Sequence, residues 1–224
     1  GKGVSICMDS ESAKKAVDEI MEQKAFGDAG SKIVIEEFLV GEELSLLAFT
    51  DGKTVLPLDS AQDHKQAYDG DKGPNTGGMG AFSPAPIFTP ELKEQVMNEV
   101  MLPVVRGMEA DGIVYKGLLY AGLMLTESGP KVLEFNARFG DPEAQPLLMR
   151  MKNDIVPIFQ ACVDGTLAKH TLDWDSKTAV CVVMAAKGYP GSYGKGMEIN
   201  GLKEAEEAGA VVFHAGTRPN GEDR

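Results

Sequence analysis

Residues 116–139 read KGLLYAGLMLTESGPKVLEFNARF. Two apolar, β-prone runs flank Glu127-Ser128-Gly129, a turn signal, so the stretch predicts an antiparallel hairpin. In a strand, residues two apart share a face. Glu134 and Asn136 therefore point together, while Leu133 and Phe135 point to the other side. A carboxylate beside an amide oxygen is a hard donor pair, suited to Mg²⁺ or Mn²⁺ that bridges phosphate oxygens. The pair alone is more simply a solvated strand face, with Asn136 opening a turn. Arg138, Asp141 and Glu143 follow at once in a Gly/Pro turn, which exceeds what packing requires and favours the ligand reading.

Outward from this hairpin the chain alternates strands and helices. On the N-terminal side, Asp9 to Ser12 supply caps for a helix to about Lys24, with Ala13, Ala16, Val17, Ile20 and Met21 on one face. KIVIEEFLV reads as a strand ending at Gly41. ELSLLAFTDGKTVLPL reads as a hairpin with Asp51-Gly52 as a two-residue turn. From Asp59 to Pro90 the pattern dissolves into a long loop, of the kind that is often functional. Thr89-Pro90 starts the next helix as N-cap and first-turn proline. Its apolar face holds Val96, Met97, Val100, Met101, Val104 and Val105, and Pro103 should kink it. Its methionines read as core.

After the central hairpin, short helices are expected near Glu143–Met151 and Asp154–Val163, and LDWDSK as a linker. TAVCVVMAAKG is then a buried strand, GLKEAEEAG an exposed helix, and VVFHAGT a last strand before a Pro-Asn-Gly turn. No repeat is visible at any solenoid period. The expected class is mixed α/β, with mainly antiparallel hairpins and helices on one face. Residues 1–171 form the expected first region, and 172–224 the start of a second, small α/β unit.

Bulk properties set outer bounds. The 224 residues are 43% hydrophobic and 25% charged, enough for a sizeable core. Twenty-two basic and 34 acidic residues give a net charge of −12. That field repels nucleic acid and anionic membrane, yet leaves room for an anionic small molecule held by local cations and backbone N–H groups. No stretch has the length of a membrane span and no signal-peptide series is present. Cys7, Cys162 and Cys181 lack metal-ligand spacing and read as reduced core or near-core thiols of a cytoplasmic protein. Both ends read as cut: GKGVSICM opens on glycines with no strand before it, and the last strand has no returning partner.

Three further stretches are candidates for chemistry. In VIEEFLVGEELSLL, Glu36, Glu37, Glu42 and Glu43 are many carboxylates for so apolar a segment. A strand edge there suits a purine and a later carboxylate suits ribose hydroxyls; a solvated surface turn accounts for it equally well. GPNTGGMGAFSP places Gly73, Gly77, Gly78 and Gly80 within eight residues. Such glycines let backbone N–H groups approach an anion, although a flexible lid is the commoner explanation. QDHK adds Lys65, which suits a phosphate, and His64, which is as well a satisfied loop histidine. His170 and His214 have no partner by spacing.

GKGV, VIEEFLVGEELS, QDHKQAYDGDKGPNTGGMGAFSPAP, LLYAGLM and KVLEFNARFGDPEAQ resemble, in order, the glycinamide ribonucleotide synthetase (phosphoribosylamine–glycine ligase) family of the ATP-grasp superfamily. The likeness continues through VVMAAKGYPGSYGKG and VFHAGT. QDHK…GPNTGGMGA and EFNARFGDPE are specific to this ligase, whereas the glutamate-rich hinge and the metal pair belong to the wider superfamily. The resemblance implies an ATP-grasp fold and the reaction of ATP, glycine and 5-phosphoribosylamine to glycinamide ribonucleotide, ADP and phosphate through a glycyl phosphate. Such catalysis is mostly positioning and charge neutralisation.

Carried onto this sequence, the resemblance implies an adenine-facing hinge at Glu36, Glu37, Phe38 and Leu39, with Glu43 on the ribose. Lys2 and Gly3 would be what remains of a phosphate-covering loop. Glu134 and Asn136 would hold Mg²⁺ or Mn²⁺ between phosphates. Arg138, Asp141, Lys65 and the run Gly77, Gly78, Met79 and Gly80 would serve glycine, phosphoribosylamine or phosphate. Arg138 suits a carboxylate or phosphate through its fork, or else pairs with Asp141. Relative to the family, an N-terminal domain, the first strands of the nucleotide-binding unit and the C-terminal end are expected to be absent, so the chain alone is expected to have little activity. The expected state is a monomer or weak homodimer. Alternatives are another ATP-grasp carboxylate–amine ligase, a carboxylase subunit, or a nucleotide-binding fragment without catalysis.

Overall fold

The structure is a computed structural model that describes residues 3–70 and 72–219. Its centre is one six-stranded antiparallel sheet in the order β5-β4-β1-β2-β3-β6. The strands are β1 (Glu42–Thr50), β2 (Val55–Tyr68), β3 (Lys72–Ser83), β4 (Gly117–Thr126), β5 (Gly129–Asn136) and β6 (Ala179–Val182). The mixed α/β class and the antiparallel hairpins expected from the sequence are both present.

Helices cover both faces of the sheet rather than one, which corrects the expectation. The reason lies in β1, whose residues Leu44 to Thr50 are all buried. A strand buried on both sides reads as a continuous apolar run and needs a layer on each face. Leu44, Leu46 and Ala48, with Leu119, Ala121 and Leu123 of β4, pack under α2 (Pro90–Val96) and α3 (Leu102–Ala110). Leu47, Phe49, Leu58, Ala61, Leu118 and Tyr120 face α4 (Ala144–Arg150) and α5 (Ile155–Asp164). Capping follows the sequence. Asp9 forms a capping box with Ser12 on α1 (Ser10–Val17), Thr89 accepts from Leu92 N–H on α2, and Asp154 accepts from Val156 N–H on α5.

Several local expectations are corrected. The long loop from Asp59 to Pro90 is mostly strand: β2 and β3 extend through it as a twisted hairpin with register shifts near His64–Gln66 and Gln66–Tyr68. Two of its glycines stand where distant chain comes too close for a side chain. A Cβ at Gly80 would stand 2.7 Å from the Cys181 carbonyl oxygen, and Gly78, at φ +126°, abuts Pro142. The Asp51-Gly52 turn has four residues, with Thr50 paired to Val55. Asp51 Oδ1 accepts from the amides of Lys53 at 3.1 Å and Thr54 at 2.7 Å, and this widens the turn.

At Pro103 the helix takes a π turn over Met97–Met101 immediately before it. That turn contains Glu99, whose carbonyl a proline ring four residues on would otherwise strike. Lys32–Val40 forms no ladder, and Val34, Ile35, Phe38 and Val40 are exposed. Nor do residues 211–217 form a strand, and β6 is four residues long with Val180 and Val182 exposed. The expected linker is packed: Trp174 bridges to Met151 and lies under the Arg150 guanidinium, 5.8 Å from its ring centre. Cys162 is buried, while Cys7 and Cys181 are half-buried. No described helix is long and apolar enough to cross a membrane.

Candidate functional site

The face of the sheet that packs on α4 and α5 changes character along β1. At one end it is apolar, with Leu47, Phe49, Leu58 and Leu118 beneath the helices. At the other end the same alternation, read backwards from Leu47, presents Ser45 and Glu43. The register places Ser45 opposite Gly122, and Gly122 opposite Glu134; Tyr120 faces Asn136. One polar surface thus runs from β5 across β4 and β1 to β2, where Asp63 and Lys65 continue it.

Glu134 and Asn136 come together as the sequence predicts. Asn136 Nδ2 donates to Glu134 Oε1 at 3.2 Å. A bulge between Gly122 and Leu123 of β4 puts an extra residue, Leu133, into β5 just before Glu134. Gly122 leaves the space that Glu134 occupies, since a Cβ there would lie 3.3 Å from Glu134 Cγ. Among the described residues no group of three or more His, Cys, Asp or Glu side chains converges as a metal cage. One carboxylate and one amide oxygen fit Mg²⁺, which keeps several waters and takes its remaining oxygens from phosphates.

Lys65 and Glu43 are joined: Lys65 Nζ donates to Glu43 Oε2, with Asp63 Oδ2 at 3.9 Å. Burial pulls the Lys65 ammonium down, but Asp63, Glu43 and Glu134 outweigh it and leave its pKa raised, so it stays charged. Asp63 has the opposite problem. Its side chain is 5% exposed. Burial, joined by the Glu143 and Glu43 charges, lifts its carboxyl to about 6 against the pull of Lys65. Beneath them Glu143, 3% exposed, accepts from Ser45 Oγ at 3.1 Å and Tyr120 OH at 2.8 Å, and the two hydroxyls are 2.8 Å apart. Burial, then the Glu143 charge, push the Tyr120 phenol up, so it remains a donor.

The turn after β5 lies against β3. Gly78 abuts Pro142, and a Cβ on it would stand 3.2 Å from the Asp141 carbonyl oxygen. The two stretches singled out for substrates, Gly77–Gly80 and Arg138–Asp141, therefore share one border. Gly77, Gly78, Met79 and Gly80 belong to a strand rather than a loose loop. Gly77 N–H donates to Tyr189 OH at 3.3 Å, and the Met79 carbonyl accepts from Val183 N–H at 2.9 Å. Arg138 does not pair with Asp141: its Nη1 donates to the Phe139 carbonyl at 2.9 Å, while Asp141 accepts from Gln145 at 3.0 Å.

The hinge segment sits at the edge of the β4–β5 hairpin. Glu37, Phe38, Leu39 and Val40 line a cleft of about 470 Å³ against Thr126, Glu127, Ser128 and Lys131. A second cleft, of about 190 Å³, continues past Glu36 to Val132 and Leu133. Gly41 turns the chain into β1 so close to the Leu125 carbonyl that no Cβ fits. Lys131 Nζ lies 3.4 Å from Glu37 Oε2. Gly3 is exposed and adopts a positive φ of 80°, and Lys2 falls outside the described residues.

Sequence reasoning assigns no role to Ser45, Asp63, Tyr120, Lys131 or Tyr189, and takes Glu143 only as one polar group of the turn. A signal existed for two of them. Ser45 and Tyr120 are polar groups inside otherwise apolar strands, and a buried hydroxyl needs a partner.

The family model described as phosphoribosylglycinamide synthetase, ATP-grasp (A) domain, matches residues 1–144, and the C domain of the same synthetase matches residues 179–224. Phosphoribosylamine–glycine ligase of Salmonella typhimurium is 53% identical over 225 aligned residues, covering 100% of this chain and 52% of that protein. The chain spans about half the length of the curated relatives it matches. The crystal structure of phosphoribosylamine–glycine ligase from Thermotoga maritima superposes with a TM-score of 0.76 at 34% identity, covering 88% of this chain and 49% of that one. An L-amino acid ligase from Bacillus licheniformis, at 18% identity and TM-score 0.60, shares the fold. With residues 1–144, more than half of its length, matched by that family's ATP-grasp model, the chain belongs to the phosphoribosylglycinamide synthetase family.

Proposed function

We propose that the protein containing this chain joins glycine to 5-phosphoribosylamine at the expense of ATP, releasing glycinamide ribonucleotide, ADP and phosphate. One observation carries the reading: Glu134 and Asn136 stand side by side on β5, beside Glu43, Lys65 and Asp63 and next to the turn that borders Gly77–Gly80. That surface suits a nucleotide phosphate chain on one side and a carboxylate-bearing acceptor on the other.

In this reading the purine lies in the cleft lined by Glu37, Phe38, Leu39 and Val40, where an unladdered segment offers free backbone groups. Glu43 takes the ribose hydroxyls by giving up Lys65, which is then free to meet a phosphate. Glu134 and Asn136 hold Mg²⁺ or Mn²⁺, which when bound neutralises charge on the phosphates in transfer. Arg138, on the exposed turn, grips a carboxylate or phosphate with its fork. Residues 1–171 act as the nucleotide-binding region and 172–224 as the beginning of a second one that supplies Tyr189 to Gly77. The chain's own contribution is to hold, orient and neutralise; no protein nucleophile is required.

Measuring ADP release by the protein tests this. Release that requires glycine and 5-phosphoribosylamine together, with one amide formed per ADP, supports it. ADP release indifferent to glycine, or driven by bicarbonate instead, rejects it.

A further inference from the structure

We propose that Asp63 is the general base that takes the proton from the attacking amine nitrogen. The inference rests on the ligase reading above and adds a catalytic residue to it. Asp63 lies midway across the site. On β2 it pairs with Ala81 of β3, next to the Gly77–Gly80 run, while Lys65 and Glu43 adjoin it on the nucleotide side. An acyl phosphate formed from nucleotide on that side meets an amine held beside β3 at this position.

The chemistry demands a proton acceptor there. As the nitrogen attacks the acyl carbon, the C–N bond forms, the C–O bond to phosphate breaks, and its electron pair leaves with the phosphate. The nitrogen then carries one proton too many, which passes to a carboxylate and on to water. Of the ionisable groups around the site, most are already committed. Glu143 of the turn is tied to Ser45 and Tyr120, Glu43 of β1 to Lys65, and Glu134 of β5 to Asn136. Asp141 accepts from Gln145, and exposed His64 lies one residue away on β2, on the opposite side of the strand from Asp63. Asp63 has a buried side chain whose one ion-pair partner among the described residues, Lys65, stands 3.9 Å away. Its surroundings also favour proton abstraction. Burial beside Glu143 and Glu43 makes the carboxylate a better base than an exposed one, yet leaves it ionised at neutral pH.

The test separates the two half-reactions in the full-length protein. Glycine-dependent scrambling of the ATP β,γ-bridge oxygen reports acyl phosphate formation, and amide formation reports the amine step. For Asp63→Asn we expect amide formation lowered on the order of 10²–10⁴-fold, and lowered far more than scrambling. The wild-type kcat/KM for the amine should fall below about pH 6, and that limb should vanish from the residual activity of the variant. Asp63→Ala, recovering amide formation in added formate, gives a second readout independent of the first variant's folding. Undiminished amide formation in Asp63→Asn overturns the base. So does equal loss of both half-reactions, or Asp63→Ala that formate does not rescue. Wild-type ADP release that is indifferent to glycine overturns the ligase reading itself, and the base with it.

Discussion

Asn136 Nδ2 donates to Glu134 Oε1 across 3.2 Å, so the amide oxygen of Asn136 is left free beside the carboxylate. Two oxygens of different charge on one strand face would suit a hard divalent cation. Both side chains are accessible, and neither supports the core. Glu134→Ala and Asn136→Ala should therefore lower ligation by about 10²-fold or more while moving the unfolding midpoint little. Kinetics across a Mg²⁺ titration, beside thermal unfolding, checks this. Turnover near the wild-type rate in either variant contradicts it.

Glu143 stabilises the turn that carries Arg138 and Asp141. It is buried with two hydroxyls from β1 and β4 as its donors. Glu143→Ala should cost about 1–3 kcal/mol beyond the packing loss, because both hydroxyls lose their acceptor. In a double-mutant cycle with Tyr120→Phe, denaturant unfolding should show a coupling on the order of 1 kcal/mol. Strict additivity would show that the two side chains do not act as one network.

Arg150 ties α4 to the sheet and to the 174–177 segment. Its Nη1 reaches Asp59 at 2.7 Å and Ser83 at 2.8 Å; Nη2 and Nε reach the carbonyls of Asp175 and Lys177 at 2.9 and 2.8 Å. Arg150→Met should destabilise by about 3–5 kcal/mol, since Asp59 and two carbonyls lose their cation together. Arg150→Lys should recover only part of that, a single ammonium being unable to span the four sites. Equal stability of the lysine variant and wild type would contradict this.

Asp63 makes stability depend on pH in a defined direction. Its carboxyl titrates near 3.8 when unfolded and about 6 when folded. Between those values the folded state holds more protons, so stability falls as pH rises from about 4 to about 6 and then levels. Denaturant melts of Asp63→Asn should lack that fall. A variant that retains the full wild-type slope would place the titration elsewhere.

How far the sequence revealed all this varies with the residue. The hairpin of β4 and β5, the caps at Asp9 and Thr89, and the Glu134–Asn136 pair are legible because each depends on neighbours in sequence. The Gly77–Gly80 stretch reads as loop from its composition but lies in β3. Gly78 and Gly80 answer to Pro142 and Cys181, which are over 60 residues distant, and local propensity carries no trace of them. The Lys32–Val40 segment erred the other way: its alternation suits a strand, but a strand exists only where a partner bonds to it. Asp63 and Glu143 become a site only through the register of β5, β4, β1 and β2.

A crystal structure of the protein with Mg²⁺ and a non-hydrolysable ATP analogue tests the central claim most directly. The cation should lie within about 2.0–2.1 Å of Glu134 and Asn136 oxygens, with the purine in the cleft beside Glu36–Leu39. A cation held elsewhere, with Glu134 and Asn136 still bonded only to each other, would contradict it.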